Sequence, residues 1–341
     1  MLTVDLRSDT VTRPGREMLE FMFSAKVGDM VLGEDPMVNE LEEYAARLFG
    51  KEGAIFCPSG TMTNQIAINI HTRPGDDIIC SKLAHIYLYE GGGIGFNSGA
   101  NVTLIDTPDG IFSADEVRRA VQPDDPHKPR TSLVSLENSV NRGGGAVWPL
   151  EAMEEISRFT RSLPLALHLD GARLFNAIVA TGITPLQFGS MFDTISVCLS
   201  KGLGAPVGSL LIGNREHMER GVRVRKVLGG TMRQAGYIAA GGLFALENNI
   251  DRLRDDHLHA AAIADALSGV SWVQDVMKVS TNIIIFNTPD DIPATSITAR
   301  LRDKGILANA PTVKSIRMVT HIDITPEMVS YTIDTIRGLS L

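Results

Sequence analysis

Asp170 and Lys201 are the residues whose type and setting carry the most chemistry in this chain of 341 residues. The apolar run from Leu163 to Leu169 leads straight into Asp170, and the run from Thr194 to Leu199 leads into Ser200-Lys201-Gly202. Apolar stretches of this length, bounded by turn residues, read as buried strands. Two neighbouring strand ends then present a carboxylate and an amine to one crevice. Pyridoxal phosphate (PLP) needs that pair: a Lys to form a Schiff base and an Asp to meet the pyridinium nitrogen. A nearby carboxylate favours the protonated ring nitrogen. A dry pocket favours the neutral amine that attacks an aldehyde. Arg173, three residues past Asp170, is placed to reach the ring's phenolate oxygen. Each residue alone is commonplace; the inference rests on their joint placement.

Other groups carry weaker signals. Ser59-Gly60-Thr61 lies between a strand pattern and a helix pattern. Free N–H groups at a helix start, with Gly allowing close backbone approach, suit a phosphate. Gly91-Gly92-Gly93-Ile94-Gly95 is glycine-rich, as a nucleotide-binding turn is, but Ala84 to Glu90 before it is not a clear strand. His257 and His259 form a His-x-His pair, yet on a helix they point to different faces, so no metal is expected there. Cys57, Cys80 and Cys198 are odd in number and widely spaced, which suggests buried free thiols rather than disulfides or a zinc site.

These groups need a frame. Ala54–Cys57, Ser132–Leu136, Leu163–Leu169 and Thr194–Leu199 read as strands. Helix patterns lie over 36–48, 61–71, 149–160 and 185–192, and Ser113 with Glu116 makes a capping box. Alternating strands and helices imply an α/β fold with a mostly parallel sheet covered on both faces. From Arg233 to Leu267 the pattern is helical and alanine-rich, and it carries the chain from a large unit, residues 1–250, to a smaller α+β unit, residues 251–341. The smaller unit shows strand patterns over 282–287 and 315–319 and helix patterns over 295–304 and 326–338. The net charge is −8 with no basic block, which argues against nucleic-acid binding. No apolar stretch reaches membrane-spanning length, and residues 1–9 have no hydrophobic signal core, so a cytoplasmic protein is expected.

Eight segments in order carry a more specific likeness: Asp5-Leu6-Arg7-Ser8-Asp9-Thr10, Gly33-Glu34-Asp35-Pro36, Pro58-Ser59-Gly60-Thr61-Met62-Thr63-Asn64, His85-Ile86-Tyr87, His168 to Arg173, Leu199 to Pro206, Met232-Arg233-Gln234-Ala235-Gly236 and Arg317-Met318-Val319-Thr320-His321. Together, from about residue 3 to about residue 325, they resemble the PLP-dependent L-threonine aldolases (low-specificity or L-allo-threonine aldolases) of the aspartate-aminotransferase-like fold, fold type I. The resemblance implies cleavage of L-threonine or L-allo-threonine to glycine and acetaldehyde. It places PLP on Lys201, with Asp170, Arg173, Ser59, Gly60 and Thr61 around it. It implies that His85 stacks on the pyridine ring and that His127 lies near the substrate side chain, either being a candidate base. Ser8 and Arg317 would hold the substrate carboxylate, a task that suits the Arg fork. The segment with Arg223, Arg225, Lys226 and Arg233 would reach a neighbouring subunit's site, Lys226 approaching its phosphate. A homo-oligomer is therefore expected, at least a dimer and in the fuller form a tetramer.

The chain departs from the family pattern at Leu32, where Tyr is common, at Glu137-Asn138-Ser139-Val140-Asn141, where Glu-Asn-Thr-His-Asn is common, and at Phe96-Asn97-Ser98-Gly99. These changes bear on the pocket for the β-substituent; Leu32, which lacks the Tyr hydroxyl, leads us to expect broad tolerance at the β-carbon, with L-allo-threonine favoured. Transamination, racemisation or β-elimination on the same fold are alternatives, and a non-catalytic nucleotide-binding α/β protein is one from another class.

Overall fold

A computed structural model describes residues 2–339. Strand β1 (Val4–Asp5) joins a small sheet treated below. The central sheet is built from β2 (Gly53–Cys57), β3 (Asp77–Ser81), β4 (Asn101–Ile105), β5 (Thr131–Glu137), β6 (Ala166–Gly171), β7 (Thr194–Cys198) and β8 (Ser209–Gly213), in the spatial order β2-β8-β7-β6-β5-β3-β4. Only β8 runs against its neighbours; β7, β6, β5, β3 and β4 pair in parallel. Every strand but β8 therefore ends at the same edge of the sheet. Strands β3, β5 and β7 are buried at every position, which is why their sequences do not alternate apolar with polar.

The helices start where their caps dictate. Ser59 caps the Gly60–His71 helix, Asp35 caps Pro36–Leu48 with Pro36 in the first turn, and reciprocal capping boxes start the helices at Ala114 and Pro185. The expected mostly parallel α/β sheet is present. The sequence patterns missed β3, β4 and β8. No helix among the described residues is long and apolar enough to cross a membrane.

A second core lies beside the first. It is roofed by β9 (Asp275–Val276), β10 (Ile283–Asn287) and β12 (Ser315–Val319), while β11 (Ile306–Leu307) pairs in parallel with β1. Val4 and Leu6 are buried in this second core with Trp272, Phe286 and Ile306. The sequence division assigned residues 4–6 to the large unit; their apolar side chains pack in the other core, because β1 extends β11. The helical stretch around residue 250 is two helices, Gly236–Asn248 and Leu253–Ser268. Leu253 packs in the first core, whereas Ala260, Ile263 and Leu267 pack in the second.

Candidate active site

The shared edge of the sheet collects the chemistry. After β2, Ser59 accepts a hydrogen bond from the Met62 backbone N–H at 3.2 Å and opens the helix with Gly60 and Thr61. A Cβ on Gly60 would stand 2.5 Å from the Cys198 sulfur, so only glycine lets this helix start press against the end of β7. After β6, Asp170 is buried; its Oδ2 accepts from Asn64 Nδ2 at 2.9 Å and its Oδ1 from the Ala172 N–H at 3.1 Å. Lys201 follows the end of the adjacent parallel strand β7, and its carbonyl accepts from Thr12 Oγ1 at 3.0 Å.

After β3, His85 begins a single helical turn, His85–Leu88. Glu137, the last residue of β5, accepts the His85 N–H on one oxygen and the Asn141 N–H on the other, both at 2.8 Å. The His85 ring meets Glu90 through Nδ1 at 3.0 Å. A ring nitrogen of His85, an oxygen of Glu90 and an oxygen of Asp170 lie within 4.8 Å of one another. Burial alone would lower the imidazole pKa, but the Glu90 hydrogen bond and the carboxylates of Asp170, Glu90 and Glu137 together raise it. Burial, reinforced by the Asp170 charge, pushes Glu137 up to about 7.

A cationic flank lies beside the carboxylates. Arg173 is buried and meets Asp9 through two hydrogen bonds of 2.7 and 2.6 Å. Burial opposes the Asp9 charge, yet Arg173, Lys201 and Arg317 hold its carboxyl well below the usual carboxylate range. Arg317 donates to Asn141 Oδ1 at 2.8 Å and to the Arg7 carbonyl at 3.3 Å. Its Nε is buried without a partner among the described residues. Burial, and then repulsion from Arg173, lowers its pKa to about 10. A buried donor left over on a guanidinium marks a place for an anion. Ser8 lies next to Asp9 and caps the turn Asp9–Val11, accepting from Thr10 Oγ1 at 2.9 Å.

Several expected residues stand elsewhere. His127 lies in the loop before β5, exposed, with its Nδ1 at 2.8 Å from Asp125. It enters the sheet at the edge opposite the crevice; β5 spans roughly 20 Å at about 3.3 Å per residue. One chain therefore does not bring His127 to Asp170 and Lys201. Lys226 is exposed on the last turn of the Arg215–Val227 helix, and Arg233 is exposed and paired with Asp29 at 2.7 Å. Arg173, expected toward a phenolate oxygen, is engaged by Asp9. Gly91 and Gly92 adopt φ of +62° and +74°, and a Cβ on Gly93 would strike the Gln65 side chain. These glycines follow a helical turn rather than a strand, so the nucleotide-loop alternative lacks its framework. His257 bonds Asn176 Oδ1 at 3.0 Å. The three cysteines are free and buried, as expected. The sequence reading gave no role to Asp9, Asn64, Glu90 or Asn141, and treated Glu137 only as part of a departing segment. Asn64 alone left a signal, one helical turn past Gly60.

The residues fit PLP. A helix start too close-packed for any Cβ can take the phosphate, the buried Asp170 can meet a pyridinium, and Lys201 can carry the aldehyde carbon.

Residues 5–290 match the model of the beta-eliminating lyase family. The chain is 45% identical over 328 residues to the low specificity L-threonine aldolase of Escherichia coli K12, covering 96% of each chain. It is 40% identical to low-specificity L-threonine aldolase 1 of Arabidopsis thaliana, covering 98% of this chain and 95% of that one. The threonine aldolase structure of Leishmania major superposes with a TM-score of 0.86 at 19% identity, covering 98% of both chains. A structure of SPT holding PLP superposes with a TM-score of 0.76 at 16% identity, covering 98% of this chain and 87% of that one. With its crevice at the shared edge of a fold type I sheet, the chain belongs to the PLP-dependent low-specificity L-threonine aldolase family, among the beta-eliminating lyases.

Proposed function

We propose that this chain cleaves L-threonine and L-allo-threonine to glycine and acetaldehyde. The observation that carries the reading is the meeting of Asp170, Lys201 and His85 at the ends of parallel strands, with the half-buried Arg317 on the Asp9 side of the same edge. PLP, when bound, supplies an electron sink for the pair left on Cα. Lys201 would carry the cofactor, Asp170 would hold its ring nitrogen protonated, and Ser59, Gly60 and Thr61 would hold its phosphate. Arg317, with Ser8 beside it, would clamp the substrate carboxylate and so set which bond at Cα breaks. His85 Nε2 would take the β-hydroxyl proton as the Cα–Cβ bond breaks and the carbonyl of acetaldehyde forms. A proton delivered to Cα then completes glycine. His85 is the better base of the two histidines, because this chain itself places it beside Asp170.

The exposed Lys226 and Arg233 suit residues that serve a neighbouring subunit, so we read the active form as a homo-oligomer, at least a dimer and in full a tetramer, in the cytoplasm. Incubation with each of the four threonine isomers tests the reaction. Acetaldehyde and glycine from both L-isomers, with none from the D-isomers, are expected. A keto acid with ammonia, a keto acid without ammonia, or a D-amino acid as the main product would replace this reading with elimination, transamination or racemisation respectively.

A further inference from the structure

We propose that Glu90 is a positioning residue for the cleavage: it holds the Nδ1–H of His85 and so turns Nε2 into the crevice as the proton acceptor. The proposal rests on the role given to His85 above. The Glu90 side chain is fully buried, while that of His85 is 30% exposed. A buried carboxylate needs donors on its lone pairs. Glu90 has three: Asn64 Nδ2 at 2.9 Å and His85 Nδ1 at 3.0 Å on Oε1, and Gln65 Nε2 at 2.7 Å on Oε2.

The surroundings fix the direction of each of these bonds. Asn97 Nδ2 donates to Gln65 Oε1 at 3.0 Å, which leaves the Gln65 amide nitrogen for Glu90. His168 Nε2 meets Asn64 Oδ1 at 3.2 Å, which leaves the Asn64 amide nitrogen for both Glu90 and Asp170. Glu90 is thus offered only donors, and Nδ1 of His85 must be one of them. The neutral imidazole then carries its proton on Nδ1 and its lone pair on Nε2. Nε2 has no hydrogen-bond partner among the described residues. When Nε2 takes the β-hydroxyl proton, the imidazolium forms against a carboxylate already in contact with it. That is the role of the acid behind the imidazole in a catalytic triad. Asn64 serves two groups with one nitrogen, so a single amide aligns both the partner of the cofactor ring and the partner of the base.

The titratable groups facing His85 are Glu90 and Tyr89 on its own segment, Glu137 at the end of β5 and Asp170 at the end of β6. Replacement of Glu90 by glutamine keeps the shape and removes the charge and one acceptor. In the PLP-loaded Glu90→Gln enzyme, kcat for L-threonine should fall about 100-fold or more, with KM changed by less than about threefold. PLP affinity and the visible absorbance of the cofactor should stay as in the wild type. The acidic limb of kcat/KM should move to lower pH, because His85 loses the carboxylate that holds its proton. Nitrogen NMR of labelled histidine in the wild-type holoenzyme, with His85 assigned from its missing signal in His85→Asn, should show the Nδ1–H form when neutral. Its titration in Glu90→Gln should shift down in pH. An Nε2–H form in the wild type, an unmoved acidic limb, or loss of PLP in step with kcat would overturn the proposal. The NMR readout does not depend on turnover, so it stands even where the wild type yields no acetaldehyde, a result that would instead remove the reaction assigned above.

Discussion

Two groups of histidines, one at the crevice edge of the central sheet and one around the start of β7, have their pKa values moved in opposite directions. At the crevice edge, His85 faces Glu90, Glu137 and Asp170, and its pKa is raised although burial opposes the charge. Around Thr194, the first residue of β7, His71 and His168 both bond its hydroxyl, and the rings of His71 and His217 meet edge to face at 4.6 Å. There burial dominates: His71 and His217 are lowered, and His168 is lowered to about 4. Burial opposes the charge in every case: it loses at His85 to a direct Glu90 hydrogen bond and three carboxylates, and wins at His168 although Asp170 pulls that ring up as well. Location on the sheet, more than residue type, decides which histidine does chemistry.

The largest effect belongs to the crevice edge. Lys201→Ala should abolish aldol cleavage and remove the visible absorbance of the bound cofactor, measured on purified protein incubated with PLP. Normal turnover would detach the crevice from the chemistry altogether. Next, Asp170→Asn should keep the fold but cut kcat about 100-fold or more and weaken PLP by roughly 1.5–3 kcal/mol, the usual worth of a charge-assisted hydrogen bond. Equilibrium PLP titration with steady-state kinetics checks both; unchanged values would mean that Asp170 does not face the ring nitrogen.

Around Thr194 the expected effect is on stability and depends on pH. A histidine lowered on folding binds fewer protons when folded than when unfolded. Its contribution is complete above the unfolded pKa of about 6.5 and is lost as pH falls toward its folded value. For His168, with a folded pKa of about 4, the loss between those limits is on the order of 3 kcal/mol. Tm of the wild type should therefore drop more steeply below pH 6.5 than Tm of His168→Gln. His85 has the reverse sign: its contribution is complete below 6.5 and is lost as pH rises through its raised value. The smallest effect is expected at His127, exposed and paired with Asp125. His127→Ala should change stability by less than about 0.5 kcal/mol, read by thermal melting. A fall in kcat/KM without loss of stability would place His127 in a neighbour's crevice.

Asp170 and Lys201 were legible because β6 and β7 are buried on both faces and end in turns, so their apolar runs point straight at the reacting groups. Strand β3 offered only Ile78, Ile79 and Cys80 between Asp77 and Ser81, and β8 is three apolar residues set between Ser209 and Gly213. Such short runs look like any buried fragment, and only pairing with neighbours makes them strands. The edge at which His127 sits depends on the direction of β5, which local sequence does not encode. Glu90 was invisible for a similar reason. Its donors Asn64 and Gln65 lie 26 and 25 positions earlier in the chain and meet it only once the sheet has formed. The helical stretch near residue 250 carried no glycine or proline at its break, so Asn249 to Arg252 read as helix until the packing of two cores separated them.

Asp9 receives hydrogen bonds from Arg173, at the crevice edge of the large sheet, and from Asn282, just before β10, at 3.2 Å. The chain also passes between the two cores within the Leu253–Ser268 helix. A body tied to another at one point can swivel in any direction, whereas a body tied at two can turn only about the line that joins them. The smaller core is tied at more points than these: the chain also crosses between Leu6 in one core and Met18 in the other, Thr281 donates to the Gly145 carbonyl, and Arg317 donates to Asn141. Every tie away from that line resists even this turn, and Arg317, standing on β12, is one of them through Asn141, so the side chain offered to an anion also helps to brace the two cores.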